Sequence, residues 1–260
     1  MEQKKKETAR VYSQRQIAPG IYDMWIDTTL AQQARPGQFI SVYTQDKSAL
    51  LPRPISICEA DTTNGRLRIV YRVAGKGTEE FSSYREGQRI DILGTLGNGF
   101  PLEAASGKRV FLMGGGIGIP PMLALAQAVT GAASVDVIAG YRDRALFLAE
   151  DLSKYAPVHI ATEDGSVGTK GNVMNAIEAE KLEADVIYAC GPMPMLRVIR
   201  DYAAKKGIPA YISLEERMAC GVGACLGCVV KTRAVDHHSH VKNARICTDG
   251  PVYAAEDVDI

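Results

Sequence analysis

Four of the six cysteines in this chain gather near its end: Cys220, Cys225, Cys228 and Cys247. The run Cys220-Gly-Val-Gly-Ala-Cys225-Leu-Gly-Cys228 has C-x4-C-x2-C spacing, and Cys247 supplies a fourth thiolate from a later strand or turn. That spacing lets one loop wrap a small [2Fe-2S] core, with backbone N–H groups turned toward its negative charge. Gly221, Gly223 and Gly227 permit the close approach. Tetrahedral zinc also suits four thiolates, but zinc loops favour two C-x2-C pairs over such a run followed by a distant cysteine. His237, His238 and His240 lie in the polar stretch AVDHHSHVKN and, beside a complete cysteine set, read as a solvated loop. Cys58 and Cys190 stand apart, and Cys58 reads as a small buried hydrophobe.

Two other groups of residues could hold phosphates. In Leu51-Pro-Arg53-Pro54-Ile55-Ser56-Ile57, a fixed cation stands beside a hydroxyl, suited to a diphosphate and to a polar ring edge. Val70-Tyr71-Arg72 and Gly75-Lys-Gly77-Thr78 add an aromatic, a second guanidinium and a backbone that phosphate can approach, and the three together outline an FAD site. Gly94-Thr-Leu-Gly97-Asn98-Gly99-Phe100-Pro101 reads as a connection that ends this region and can lie against the flavin.

Further on, Gly114, Gly115, Gly116 and Gly118 stand between an apolar run and Pro120-Pro121. Glycines there bring N–H groups and a helix start to a dinucleotide diphosphate. The prolines depart from G-x-G-x-x-G, which disfavours an ordinary Rossmann dehydrogenase and suits a ferredoxin-reductase type of domain. Cys190-Gly191-Pro192 ends another apolar run, where a small thiol could contact a nicotinamide; a plain strand-to-helix turn explains the same residues. In Gly140-Tyr-Arg142-Asp143-Arg144, Asp143 would repel a 2′-phosphate and the arginines would attract one.

The elements that must position these groups fall into three stretches. Residues 1–103 hold short β-type segments between turn signals such as Ala18-Pro19-Gly20 and Thr63-Asn64-Gly65, which predicts an antiparallel β-barrel that binds FAD. Residues 104–214 alternate apolar strands (110–113, 135–139, 158–161, 186–189) with helical stretches (121–129, 193–206), which predicts a parallel α/β nucleotide-binding domain. Residues 215–260 read as a small metal-organised module.

At 260 residues with 46% hydrophobic content, the chain can bury real cores, and two compact domains fit its length. Thirty basic and thirty acidic residues cancel, so no global field draws it to nucleic acid or an anionic membrane. The start, MEQKKKETAR, has no apolar segment behind it and no stretch is long enough to span a bilayer, so a cytoplasmic location is expected.

RPISI, YRVAGKGT, GTLGNGFP, GGGIGIPPM, CGPMPML, SLEERMACGVGACLGC and ICTDGPV occur in that order. From about residue 8 to 260 the chain resembles the electron-transfer subunits of NAD-dependent (class 1B) dihydroorotate dehydrogenase. The resemblance implies a ferredoxin-reductase fold, FAD on Arg53 to Ser56, Val70 to Arg72 and Gly77 to Thr78, a [2Fe-2S] cluster on the four cysteines, and NAD as co-substrate. The spacing before Cys247 departs from the family pattern, because the loop with the histidines is extended. The family's partner is an FMN-containing catalytic subunit, assembled two plus two in pyrimidine biosynthesis. No substrate-oxidising site is then expected here; electrons would pass from the partner's FMN through cluster and FAD to NAD⁺. Related subunits of a hydrogenase, a sulfide dehydrogenase or a ferredoxin:NADP oxidoreductase share this domain order. A zinc-containing nucleotide-binding scaffold is the alternative of a different class.

Overall fold

The computed structural model describes residues 4–46, 48–235 and 240–260. His237 and His238 lie outside these. In the first stretch each span of alternating apolar and polar residues is a strand: β1 (Lys5–Ala18), β2 (Ile21–Asp27), β3 (Phe39–Val42), β4 (Arg53–Asp61), β5 (Arg66–Arg72) and, after a short helix α1 (Lys76–Ser82), β6 (Arg89–Leu96). Among the described residues these six close into an antiparallel barrel in the order β1-β2-β5-β4-β3-β6. Strand periodicity explains its filling, because Leu67, Ile69 and Tyr71 of β5 point inward with Met24, Ile26 and Ile40.

The second stretch alternates as expected: β7 (Arg109–Gly115), α2 (Pro120–Ala128), β8 (Ser134–Tyr141), α3 (Ala149–Leu152), β9 (Val158–Thr162), β10 (Thr169–Lys170), α4 (Val173–Glu180), β11 (Val186–Cys190), α5 (Met193–Lys206) and β12 (Ala210–Ser213). β7 shows the two-faced burial of such a sheet: Val110 and Leu112 join one core, Phe111 and Met113 the other. The sequence of α2, PPMLALAQA, is apolar all round, and Pro120 through Ala126 are buried because the helix is wedged between the sheet and the barrel, with Cys58 and Val70 in the same core. α5 is amphipathic and lays Leu196, Ile199 and Ala203 on the opposite face.

The last stretch adds β13 (Val229–Lys231) paired with β14 (Asn243–Arg245), and then β15 (Val252–Ala254). β15, from the C-terminal stretch, adds an antiparallel edge to the parallel sheet of the second stretch. It runs antiparallel to β12, pairing Ile212 with Tyr253, and forms the edge of a seven-stranded sheet ordered β10-β9-β8-β7-β11-β12-β15. The module is therefore stitched into the α/β sheet, and Cys228 and Cys247 share a core with Ile212 and with Phe39 and Leu96 of the barrel.

One buried ionic knot joins the barrel to the sheet. Arg68 on β5, 5% exposed, donates to both oxygens of Asp23, itself 2% exposed, at 2.8 and 2.9 Å. It also reaches Glu59 at 3.2 Å and Asp151 of α3 at 2.9 Å. Burial works against the Arg68 charge, but Asp23 and its other anionic neighbours outweigh that and hold the guanidinium protonated. Losing Asp23 takes away the most buried of these carboxylates and leaves Arg68 with only the two partly exposed ones. Asp23→Asn is expected to cost about 3 kcal/mol, and Asp151→Asn, whose carboxylate is partly solvated, about 1 kcal/mol. Urea unfolding of the two variants checks this, and equal midpoints for Asp23→Asn and the parent would contradict it.

Candidate functional site

Two clefts meet at the junction of barrel and sheet. The first is walled by the start of β4, where Arg53, Pro54, Ile55 and Ser56 are all half-buried, and by the end of β5, with Val70, Tyr71 and Arg72. Arg53 is steered by two neighbours: its Nη1 donates to the Leu51 carbonyl, and it lies across Gly77, where a Cβ would fall 2.6 Å from its Nε. Only glycine lets the guanidinium take that place. Thr78 accepts from the N–H of Ala74 at 2.9 Å and donates to the Gly75 carbonyl at 3.0 Å, so its hydroxyl shapes the turn. Tyr71 borders the cleft, but its ring is 1% exposed, stacked on Tyr22 at 5.8 Å, with its hydroxyl donating to Gln14.

The second cleft runs over the carboxyl ends of the parallel strands. Gly115, Gly116 and Gly118 line it, as do Gly191 and Pro192. Gly114 does not; a Cβ there would meet Ile119 at 2.9 Å, so its smallness serves packing of the turn onto α2. Gly118 is needed for close approach, since a Cβ would sit 2.3 Å from the Cys190 carbonyl oxygen. Cys190 itself is 0% exposed; its thiol meets Ser213, burial pushes it up, and it lies among core residues beside the cleft.

Three residues belong to both clefts: Arg72, Ile117 and Glu215. Glu215 lies two residues past the end of β12, and its side chain is reached by solvent yet walled by protein. Burial raises its carboxyl, with Arg72 pulling the other way. Motif reading missed Ile117 and Glu215. The available signal was an acidic residue two positions past an apolar strand, at the sheet edge where ligands bind.

The cysteine loop carries the geometry its spacing requires. Gly221 and Gly223 have φ of 67° and 83°. The N–H groups of Val222 and Ala224 donate to the Cys220 sulfur at 3.4 and 3.3 Å, and Gly227 N–H to Cys225 at 3.4 Å. Burial works to raise the Cys220 thiol, yet Val222, Cys225 and Ala224 bring it down to about 6. Cys247 is pushed up to about 12 by burial and by its contact with Cys228. Cys225 bears on the Cys220 thiol, and Cys228 and Cys220 on that of Cys247; among the described residues no three His, Cys, Asp or Glu side chains are grouped for a single ion. Arg245 closes the loop by bonding Asp249 at 3.2 Å and the Gly223 carbonyl at 3.4 Å. N–H donors aimed at the Cys220 and Cys225 sulfurs fit an iron–sulfur cluster, whose sulfurs accept such bonds. His240 is exposed.

The Gly94-to-Pro101 connection is bonded to the cysteine module through Asn98. Asn98 N–H donates to the Gly250 carbonyl at 2.6 Å, while its side-chain amide accepts from Val252 N–H at 3.0 Å and donates to Val252 carbonyl at 2.7 Å.

Residues 215–259 match the family model described as the iron-sulfur cluster binding domain of dihydroorotate dehydrogenase B. The chain is similar to the protein named dihydroorotate dehydrogenase B (NAD(+)), electron transfer subunit, from Bacillus caldolyticus, at 44% identity over 97% of this chain and 98% of that one. It is similar to the protein of the same name from Streptococcus mutans serotype c at 40% identity, over 95% and 96% of the two chains. A solved structure of an NADH-dependent reduced ferredoxin-NADP oxidoreductase superposes with a TM-score of 0.86 at 28% identity, covering 97% of this chain and 90% of that one. A ferredoxin NADP+ reductase from Neisseria gonorrhoeae with bound FAD and NADP shares the fold, with a TM-score of 0.68 at 16% identity over 82% and 94%.

If Arg53 is the cation of the first cleft, Arg53→Ala should weaken flavin retention by about 10- to 100-fold, the usual loss of a charge-assisted hydrogen bond. Flavin fluorescence released on dilution measures it, and retention equal to the parent would contradict the assignment.

Proposed function

Because the chain belongs to the family of dihydroorotate dehydrogenase B (NAD(+)) electron transfer subunits, we propose that its two clefts and its cysteine loop form one relay between a dihydroorotate-oxidising partner and NAD⁺. The chain is an oxidoreductase subunit with FAD, an iron–sulfur cluster and NAD as its redox groups. The iron–sulfur family match sets aside the zinc scaffold. Identity of 40–44% to the dihydroorotate dehydrogenase subunits, against 28% to the ferredoxin-NADP oxidoreductase, favours the first over the second as the system served.

The observation that carries the reading is the wall shared by cleft and cysteine module: Met218, two residues before Cys220, and Pro251, four residues after Cys247, both line the flavin cleft. The residues on either side of the ligand set thus touch the space where FAD fits. FAD supplies the exchange between hydride transfer and the single-electron steps that a cluster can carry.

Each part of the chain has a task in this reading. Cys220, Cys225, Cys228 and Cys247 hold a [2Fe-2S] cluster, and the N–H groups of Val222, Ala224 and Gly227 stabilise the thiolate charge. Arg53 balances the FAD diphosphate, and Ser56 offers its hydroxyl to the flavin ring. Gly115, Gly116 and Gly118 receive the dinucleotide diphosphate, while Arg72, Ile117 and Glu215 wall the point where nicotinamide and flavin face one another. Residues 1–103, 104–214 and 215–260 act as FAD, NAD and cluster units. Cys190 is placed to fix the Gly118–Gly191 approach from beneath.

Membership as an electron transfer subunit implies a catalytic partner; we assign it FMN, a two-plus-two assembly, a cytoplasmic location and a place in pyrimidine biosynthesis. Among the described residues no helix is long and apolar enough to cross a membrane. Co-expression with the dihydroorotate-oxidising subunit, followed by native mass spectrometry, should give two copies of each chain with FMN in the partner. A chain that never associates with that subunit would contradict the proposal.

A further inference from the structure

The dinucleotide cleft runs across the carboxyl ends of the parallel strands, and its two ends differ chemically. At the β11 side lie Arg72, Ile117 and Glu215, shared with the flavin cleft, so a nicotinamide must lie there to reach the flavin. Gly115, Gly116 and Gly118 occupy the middle, at the turn from β7 into α2, the place for a diphosphate. The adenosine half is left the far end, beyond β8 and β9, lined by Arg142, Glu163 and Asn172.

Glu163 directly follows β9, and its N–H donates to the Tyr141 carbonyl at 3.1 Å, which fixes its backbone beside the end of β8. Among the described residues its carboxylate has no hydrogen-bond or ion-pair partner. The neighbouring acids differ: Asp143 accepts from Ala145 N–H at 2.9 Å, Asp164 accepts from Ser166 N–H at 2.9 Å, and neither lines the cleft. The discrimination that the sequence places on Asp143 therefore has a better-placed candidate one strand away.

We infer that Glu163 selects NAD over NADP, its carboxylate accepting hydrogen bonds from the adenosine ribose hydroxyls and repelling a 2′-phosphate. An acidic side chain at a strand end is suited to that task, because a hydroxyl pair donates to it while a phosphate dianion cannot. Arg142, in the same end of the cleft, opposes this by attracting phosphate, so removal of the carboxylate leaves a guanidinium free to bind one. The inference rests on the cleft being the dinucleotide site.

The test uses the FAD- and cluster-loaded protein, with kcat/KM for NADH and NADPH oxidation and the affinity for each coenzyme by calorimetry. Glu163→Gln should lower kcat/KM for NADH about tenfold and raise that for NADPH about tenfold, the scale of one charge-assisted hydrogen bond and one charge repulsion. Adding Arg142→Ala should remove the gain with NADPH. An unchanged coenzyme ratio in Glu163→Gln, or a ratio moved by Asp143→Asn instead, overturns the inference. Parent protein whose flavin NADH fails to reduce would overturn the functional reading itself, and this inference with it.

Discussion

The side-chain amide of Asn98 treats Val252 as a neighbouring strand would, accepting from its N–H at 3.0 Å and donating to its carbonyl at 2.7 Å. This contact joins the loop that ends the barrel to the strand that ends the sheet. Between them the C-terminal module is held on two sides, because the other edge of β15 is paired with β12. Cys247 lies five residues before Val252, so fixing the strand also fixes the ligand. A one-electron carrier is useful only if it stays close to the flavin it serves, and this double anchoring sets that closeness.

A second constraint acts at the opposite side of the junction. The knot of Arg68, Asp23, Glu59 and Asp151 crosses from barrel to α3, while α2 fills the space beneath with apolar side chains. The two clefts share Arg72, Ile117 and Glu215 only as long as barrel and sheet keep one relative placement.

Local patterns were legible to the extent that they were local. The strands at 110–113 and 186–189 and the helix at 193–206 announced themselves by period, and the cysteine run by spacing. The antiparallel pairing of β15 with β12 was hidden because forty residues separate the partners and three-residue strands carry almost no period. Tyr71 and Cys190 were read as ligand contacts; Tyr71 does border the flavin cleft with its ring packed into the barrel, while the Cys190 thiol lies in the core beside the second cleft. Glu163 and Glu215 escaped notice for the converse reason: each is one of two adjacent acids past a strand, and only the assembled sheet edge shows that it lines a cleft.

The central claim is that the clefts and the cysteine loop form one connected redox path. Its most direct test is anaerobic titration of the purified protein with NADH, followed by visible absorption and electron paramagnetic resonance, with iron, sulfide, zinc and flavin assayed on the same sample. The expected result is about two irons per FAD, flavin bands bleached by NADH, and the resonance of a reduced [2Fe-2S] cluster appearing as they bleach. Zinc in place of iron, or a flavin that bleaches while the cluster stays oxidised under equally low potential, would contradict it.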